Sequence, residues 1–155
     1  MNVGEKFPEF ILADENGEKF DSKSLEGIRF VVYFYPKDGT SGCTREAQDF
    51  TSLYPKFMFR NIPIIGVSKD SVSAHKNFRE KYSLKVKLLS DPEHVLIEKA
   101  GVWGTKMMYG KEVHGTTRST FIVGKDGNVE AAWKSVKVDG HADKVLEKAV
   151  SLVKS

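Results

Sequence analysis

Cysteine is nearly absent from this chain: of its 155 residues only Cys43 carries a thiol. One thiol cannot close an internal disulfide framework, which points to a reducing, cytoplasmic setting. Long apolar runs are missing too. The longest, Phe30 to Tyr35, is far shorter than the roughly 20 residues a membrane helix needs. The segment from Met1 to Lys6 has neither the basic nor the apolar region of a signal peptide. No charge of one sign dominates: 24 Lys and Arg stand against 21 Asp and Glu, for a net +3. The basic residues are dispersed, which argues against a nucleic-acid or membrane surface. The four histidines, His75, His94, His114 and His141, are too scattered for a helical or finger-type metal site, and no cofactor is expected. Repeats, low-complexity segments and linkers are also missing. What remains is the length and composition of one ordinary globular domain over residues 1–155, large enough to bury a core.

Short strands alternate with helices along the chain. Phe10-Ile11-Leu12 and Lys19-Phe20 flank Asn16-Gly17, a hairpin signal. Ile28 to Tyr35 is β-branched and aromatic and reads as a central buried strand that Pro36 ends. Cys43 to Phe59 reads as a helix with Phe50, Leu53, Tyr54 and Phe57 on one face, kinked at Pro55. A buried strand over Ile62 to Val67 follows, then a helix over Val72 to Tyr82 capped by Ser71 or Asp70. Lys87-Leu88-Leu89 is a short strand. Asp91-Pro92 opens a helix reaching about Ala100, with proline in the first helical position. Gly101 to Gly115 reads as irregular. Arg118 to Val123 and Val129 to Trp133 form antiparallel strands about the turn Lys125-Asp126-Gly127-Asn128. A helix over Gly140 to Val153, capped by Asp139, closes the chain. The fold class is α/β with a partly parallel sheet.

The segment Pro36-Lys37-Asp38-Gly39-Thr40-Ser41-Gly42-Cys43 carries the chemistry. A strand ends, a loop turns, and a cysteine stands at a helix start. The helix dipole and the free amides of the first turn favour a thiolate there. The Thr40 hydroxyl, three residues earlier, is placed to donate a hydrogen bond to the sulfur. Position alone leaves two readings open, an activated nucleophile and an inert small hydrophobe. A phosphate-binding loop fits less well, since Gly39 and Gly42 match neither the Walker nor the dinucleotide pattern. The spacing is that of a Cys-x-x-Cys redox loop with Thr40 in place of the first cysteine, so dithiol exchange is ruled out.

Val31 to Asp38, followed by Thr40-Ser41-Gly42-Cys43-Thr44-Arg45-Glu46, resembles the active-site motif of peroxiredoxins, Pro-x-x-x-Thr-x-x-Cys, and most closely that of the bacterioferritin-comigratory, or Q-type, subfamily. The likeness continues through Gly66-Val67-Ser68, Leu89-Ser90-Asp91-Pro92, Gly101-Val102-Trp103-Gly104, Met108-Tyr109-Gly110-Lys111, Arg118-Ser119-Thr120-Phe121 and Val138-Asp139-Gly140-His141-Ala142. It covers nearly the whole chain, in order. The resemblance implies a thioredoxin-like fold, a central mixed sheet flanked by helices with an N-terminal β-hairpin extension. It implies a peroxidase acting on hydrogen peroxide and organic hydroperoxides. Cys43 would be the attacking thiol, Thr40 a hydrogen-bond donor, Pro36 a shield of the pocket and Arg118 the guanidinium that binds peroxide and sulfur. Glu46 matches an acidic position of the motif, and Trp103 is a further candidate for the pocket wall.

One departure stands out. Many members of the subfamily carry a resolving cysteine five residues after the attacking one; here that position is Gln48. A one-cysteine cycle follows as the expectation, with an external thiol (thioredoxin, glutaredoxin or glutathione) restoring the sulfur. The competing reading is a redox-sensing module whose Cys43 is oxidised without efficient turnover. The subfamily leans to a monomer or weak dimer.

Overall fold

The computed structural model describes residues 1–154. A seven-stranded sheet has the order β2-β1-β5-β4-β3-β8-β9. Its strands are β1 (Ile11–Asp14), β2 (Lys19–Asp21), β3 (Phe30–Phe34), β4 (Ile64–Ser68), β5 (Lys87–Ser90), β8 (Ser119–Val123) and β9 (Val129–Trp133). β6 (Trp103–Met108) and β7 (Lys111–Thr116) form a separate hairpin. The helices are α1 (Ser41–Met58), α2 (Val72–Lys81), α3 (Val95–Lys99) and α4 (His141–Lys154). β3, β4 and β5 run parallel, while β8 joins β3 antiparallel and β1 joins β5 antiparallel. The sheet is therefore mixed, as the sequence leads one to expect.

β3 is buried on both faces, which is why its sequence is a continuous apolar run rather than an alternation. Val31, Tyr33 and Tyr35 face one core, with Cys43, Ala47, Phe50 and Phe57 of α1 and Ala142, Val145 and Ala149 of α4. Phe30, Val32 and Phe34 face the other, with Phe7, Leu96, Ile97 and Phe121. Each fully buried apolar side chain of this kind contributes roughly 1.5–3 kcal/mol to folding.

Several sequence expectations change. Gly101 to Gly115 holds the β6–β7 hairpin, closed by Tyr109 and Gly110 at φ 54° and 75°. That is the type I′ geometry that matches strand twist. Nearly all of β7 is exposed, so no alternation of apolar and polar residues marks it. Pro92 does not start α3. Asp91 caps the helix from a distance, its carboxylate accepting from the amides of Val95 (3.0 Å) and Ile97 (2.9 Å), with His94 between at φ 47°. α1 begins at Ser41 rather than Cys43. It continues through Pro55, which lies on its exposed side, where water can serve the carbonyl left without a partner. Ser71, not Asp70, caps α2 through a 3.2 Å bond from the Ala74 amide. The Asp139 carboxylate pairs with Arg45 at 2.6 Å. The N-terminal hairpin pairs as expected, Ile11 with Asp21 and Ala13 with Lys19.

Candidate active site

The loop from Pro36 to Thr40 carries the chain from the end of β3 into α1. Thr40 is the N-cap residue, so Cys43 is the third residue of the helix, in the turn whose amides lack intrahelical partners. On the far side, Phe34 pairs with Ser119. Arg118 stands one residue beyond that last pair and is thereby delivered to the same edge as the loop. Its Nη2 donates to Cys43 Sγ at 3.2 Å and its Nη1 to Glu46 Oε1 at 2.6 Å. Glu46 follows Cys43 by three residues on α1, the spacing that places two helical side chains on one face. Cys43 and Glu46 are each only 1% exposed.

One guanidinium thus serves two acidic groups. Burial pushes the Glu46 carboxyl up to about 7, against the pull of Arg118. Burial by itself would lower Arg118, but Glu46 and Cys43 override it and hold the guanidinium above its ordinary value. Arg118 therefore stays charged and keeps its planar fork of donors. Gly42 makes room for it: a Cβ there would stand 3.2 Å from Arg118 Nη2. Beneath the site Tyr33 stacks on Phe50 with ring centroids 4.9 Å apart. Its phenol is pushed well up, by burial first and by Glu46 second. Tyr33 needs Gly66 on the adjacent strand, where a Cβ would come within 2.8 Å of Cζ.

The structure brings Cys43, Glu46 and Arg118 together. Thr40 stands at the same turn, yet its hydroxyl donates to the Lys37 carbonyl at 2.8 Å. A single hydroxyl proton committed there is not aimed at the sulfur. Pro36 lies exposed two residues past the end of β3. Trp103 is not brought to this cluster. It packs with the core on the other face of the sheet, stacked on His94 at 4.2 Å with the Lys69 ammonium 4.9 Å over its ring. Gln48 is exposed, turned about 140° around the helix from Cys43.

Two contributors escape sequence reasoning. Gly42 reads there only as a turn residue. His141 reads as a helix start, but it is buried, bonds Thr120 Oγ1 through Nε2 at 2.8 Å and meets Phe50 edge-on. Burial lowers its imidazole to about 4, helped by Arg118 and Lys144. No sequence signal marks either role, because the first depends on where Arg118 lands and the second on where Thr120 and Phe50 do.

A helix-start cysteine under an arginine that a distant strand supplies is the arrangement of a thiol nucleophile with a fixed cation for developing negative charge. The AhpC/TSA family pattern matches residues 3–132. The chain belongs to this family and is a peroxiredoxin, a thiol peroxidase. It is 42% identical to the peroxiredoxin Bcp of Bacillus subtilis over 147 residues, covering 95% of this chain and 94% of that one. With the Bcp of Escherichia coli it shares 35% over 146 residues, 94% of each. The solved bacterioferritin comigratory protein of Xanthomonas campestris, characterised for alkyl peroxide reduction, superposes with a TM-score of 0.90 at 41% identity, covering 93% of this chain and 92% of that one. The peroxiredoxin Q of Xylella fastidiosa superposes with a TM-score of 0.92 at 35% identity, covering 97% and 96%. The fold is accordingly the thioredoxin-like fold of peroxiredoxins.

Proposed function

We propose that the chain reduces hydrogen peroxide and organic hydroperoxides by a one-cysteine cycle, with Cys43 as the only sulfur that turns over. The observation that carries this reading is the Arg118 guanidinium bonded to the sole thiol of the chain. The Cys43 thiolate attacks one peroxide oxygen. An S–O bond forms, the O–O bond breaks, and the departing oxygen leaves with a proton as water or alcohol. Arg118 faces the charge as it passes from sulfur to leaving oxygen, and preorganised donors of this kind are worth about 3–4 kcal/mol. Thr40 joins them once its hydroxyl turns from Lys37, Pro36 shields the entrance, and Glu46 holds Arg118 in place.

An external thiol then condenses with the sulfenic acid, releasing water and forming a mixed disulfide. A second thiol takes the bound one away and frees Cys43. Thioredoxin, glutaredoxin or glutathione fits this role. The near-complete burial of Cys43 suits attack on a small peroxide. A protein thiol reaches the sulfur only when the first turn of α1 opens. We assign the chain to the cytoplasm, as a monomer or weak dimer.

The test is peroxide consumption with each reductant in turn, together with intact mass after graded peroxide. Turnover beyond one equivalent, lost in Cys43→Ser, is expected, and without reductant the chain should gain one oxygen, then two and three. Oxidation no faster than that of free cysteine would refute the peroxidase cycle. Fast oxidation with no turnover on any of the three thiols would make the chain a sensor.

A further inference from the structure

Asp38 lies inside the loop from Pro36 to Thr40 and is held from three directions. Tyr35 Oη donates to its Oδ1 at 2.6 Å. His75 Nδ1 meets its Oδ2 at 2.6 Å. Its own amide donates to Asp70 Oδ2 at 2.9 Å, an oxygen that also accepts from Ser68 Oγ at 2.6 Å. His75, on α2, is fully buried, and its Nε2 stands 2.9 Å from the Leu89 carbonyl of β5. The ends of β3 and β4, the first turns of α2 and the strand β5 are therefore linked through one loop residue, Asp38.

A carbonyl oxygen only accepts, so His75 Nε2 carries a hydrogen towards Leu89. Nδ1 faces the Asp38 carboxylate at 2.6 Å, so both ring nitrogens are committed, one to β5 and one to the loop. Donor atoms of Asp38, Asp70 and His75 lie within 4.8 Å of one another, but they are occupied by each other and by Tyr35 and Ser68, which makes the cluster a hydrogen-bonded clamp. Burying such a pair carries a desolvation cost, and an apolar pair of similar volume would often be as stable. Stability alone is therefore a poor account of it, whereas position is a good one. Asp38 stands two residues before Thr40 and five before Cys43.

We infer that Asp38 and His75 are positioning residues of the peroxidase reaction, pinning the loop so that Thr40 and the first turn of α1 hold the Cys43 sulfur beneath Arg118. This rests on the peroxidase reading above. The clamp has two consequences of opposite sign. It speeds the attack on peroxide by keeping the sulfur in register with the guanidinium. It slows access of larger thiol reagents by keeping the first turn of α1 closed.

The test uses the full-length reduced chain, with Cys43 oxidation by hydrogen peroxide followed in stopped flow and alkylation by iodoacetamide followed separately. Asp38→Ala and His75→Ala should each slow oxidation by about tenfold or more, towards the roughly 10²-fold that a misplacement near 1 Å can cost, while alkylation becomes severalfold faster. Asp38→Asn is the rescue: its amide donates to a neutral Nδ1 and its oxygen still accepts from Tyr35, so most of both changes should be recovered. A role confined to the charge of the pair would leave Asp38→Asn as impaired as Asp38→Ala and overturn the proposal. So would oxidation of Asp38→Ala at the wild-type rate. Where circular dichroism shows that the alanine variants do not fold, Tyr35→Phe decides, because it keeps the ring and removes only the hydroxyl. A loss of about threefold, worth under 1 kcal/mol, is then expected, and an unchanged rate overturns the inference. Failure of the peroxidase reading itself would show first, as slow oxidation of the wild-type chain.

Discussion

Replacing Arg118 by methionine separates catalysis from stability, and the separation comes from Glu46. The substitution removes the donor 3.2 Å from the Cys43 sulfur and the donor 2.6 Å from Glu46. Loss of a preorganised donor predicts a fall of about 10²–10³ in the rate of Cys43 oxidation. Breaking a buried ion pair usually costs about 3–5 kcal/mol, because a charge is left stranded. Here burial already holds the Glu46 carboxyl at about 7 with Arg118 present, and without Arg118 it goes higher. At about pH 6 the variant therefore folds with Glu46 neutral and loses only hydrogen bonds, about 1–3 kcal/mol. Above pH 7 the two proteins part. In the wild type Glu46 titrates at about 7 in the folded chain, so from about pH 8 upward it is ionised both folded and unfolded and adds no slope. In the variant the folded state keeps a proton that the unfolded state releases, so stability falls by up to about 1.4 kcal/mol per pH unit. Urea unfolding followed by circular dichroism between about pH 6 and pH 9 should show the gap between the two proteins widening. Adding Glu46→Gln to the variant should flatten it. A gap constant with pH would refute the account of Glu46 as a carboxyl raised by burial.

Gly42→Ala should leave stability equal or slightly higher, since alanine favours helix by up to about 1 kcal/mol. The same change should slow Cys43 oxidation about tenfold, because its Cβ would stand 3.2 Å from the guanidinium; wild-type kinetics would contradict the packing argument. His141 has an imidazole lowered to about 4. The unfolded chain thus binds the extra proton first, and the stability this group contributes is complete above about pH 6.5 and lost as pH falls towards 4. Calorimetry on His141→Asn should show a shallower acid limb in that window, and parallel limbs would refute it. Gln48→Cys restores the thiol five residues after Cys43, on an exposed face. Peroxide should then produce a disulfide within one chain together with partial loss of α1 helicity, read by circular dichroism and a gel shift. A disulfide formed with the helix intact would contradict the 140° separation of the two positions.

Most of the sheet was legible in the sequence because its central strands are buried on both faces. Ile28 to Tyr35 and Ile62 to Val67 announce themselves as apolar runs; the structure starts each strand two residues later, ends the first one residue sooner and carries the second one residue further, to Ser68. The β6–β7 hairpin was not legible, because backbone pairing holds it with little burial to leave a pattern. Cys43 and Arg118 were paired through a family resemblance; physically, the antiparallel register of β3 with β8 brings them together across 75 residues of chain. Composition carries no trace of such a register. The clamp at Asp38 was hidden for the same reason, two of its three partners lying 32 and 37 residues away.

The two tryptophans divide between the two faces of the sheet. Trp133 packs against the core that contains Cys43 and meets His141 edge-on at 5.8 Å. Trp103 belongs to the opposite core. The molecule therefore carries a separate optical probe for each side. A change in emission confined to Trp133 would report chemistry at the sulfur, and one confined to Trp103 would report motion of the hairpin. Replacing each indole by phenylalanine in turn would let a single fluorescence trace be split into those two events in real time.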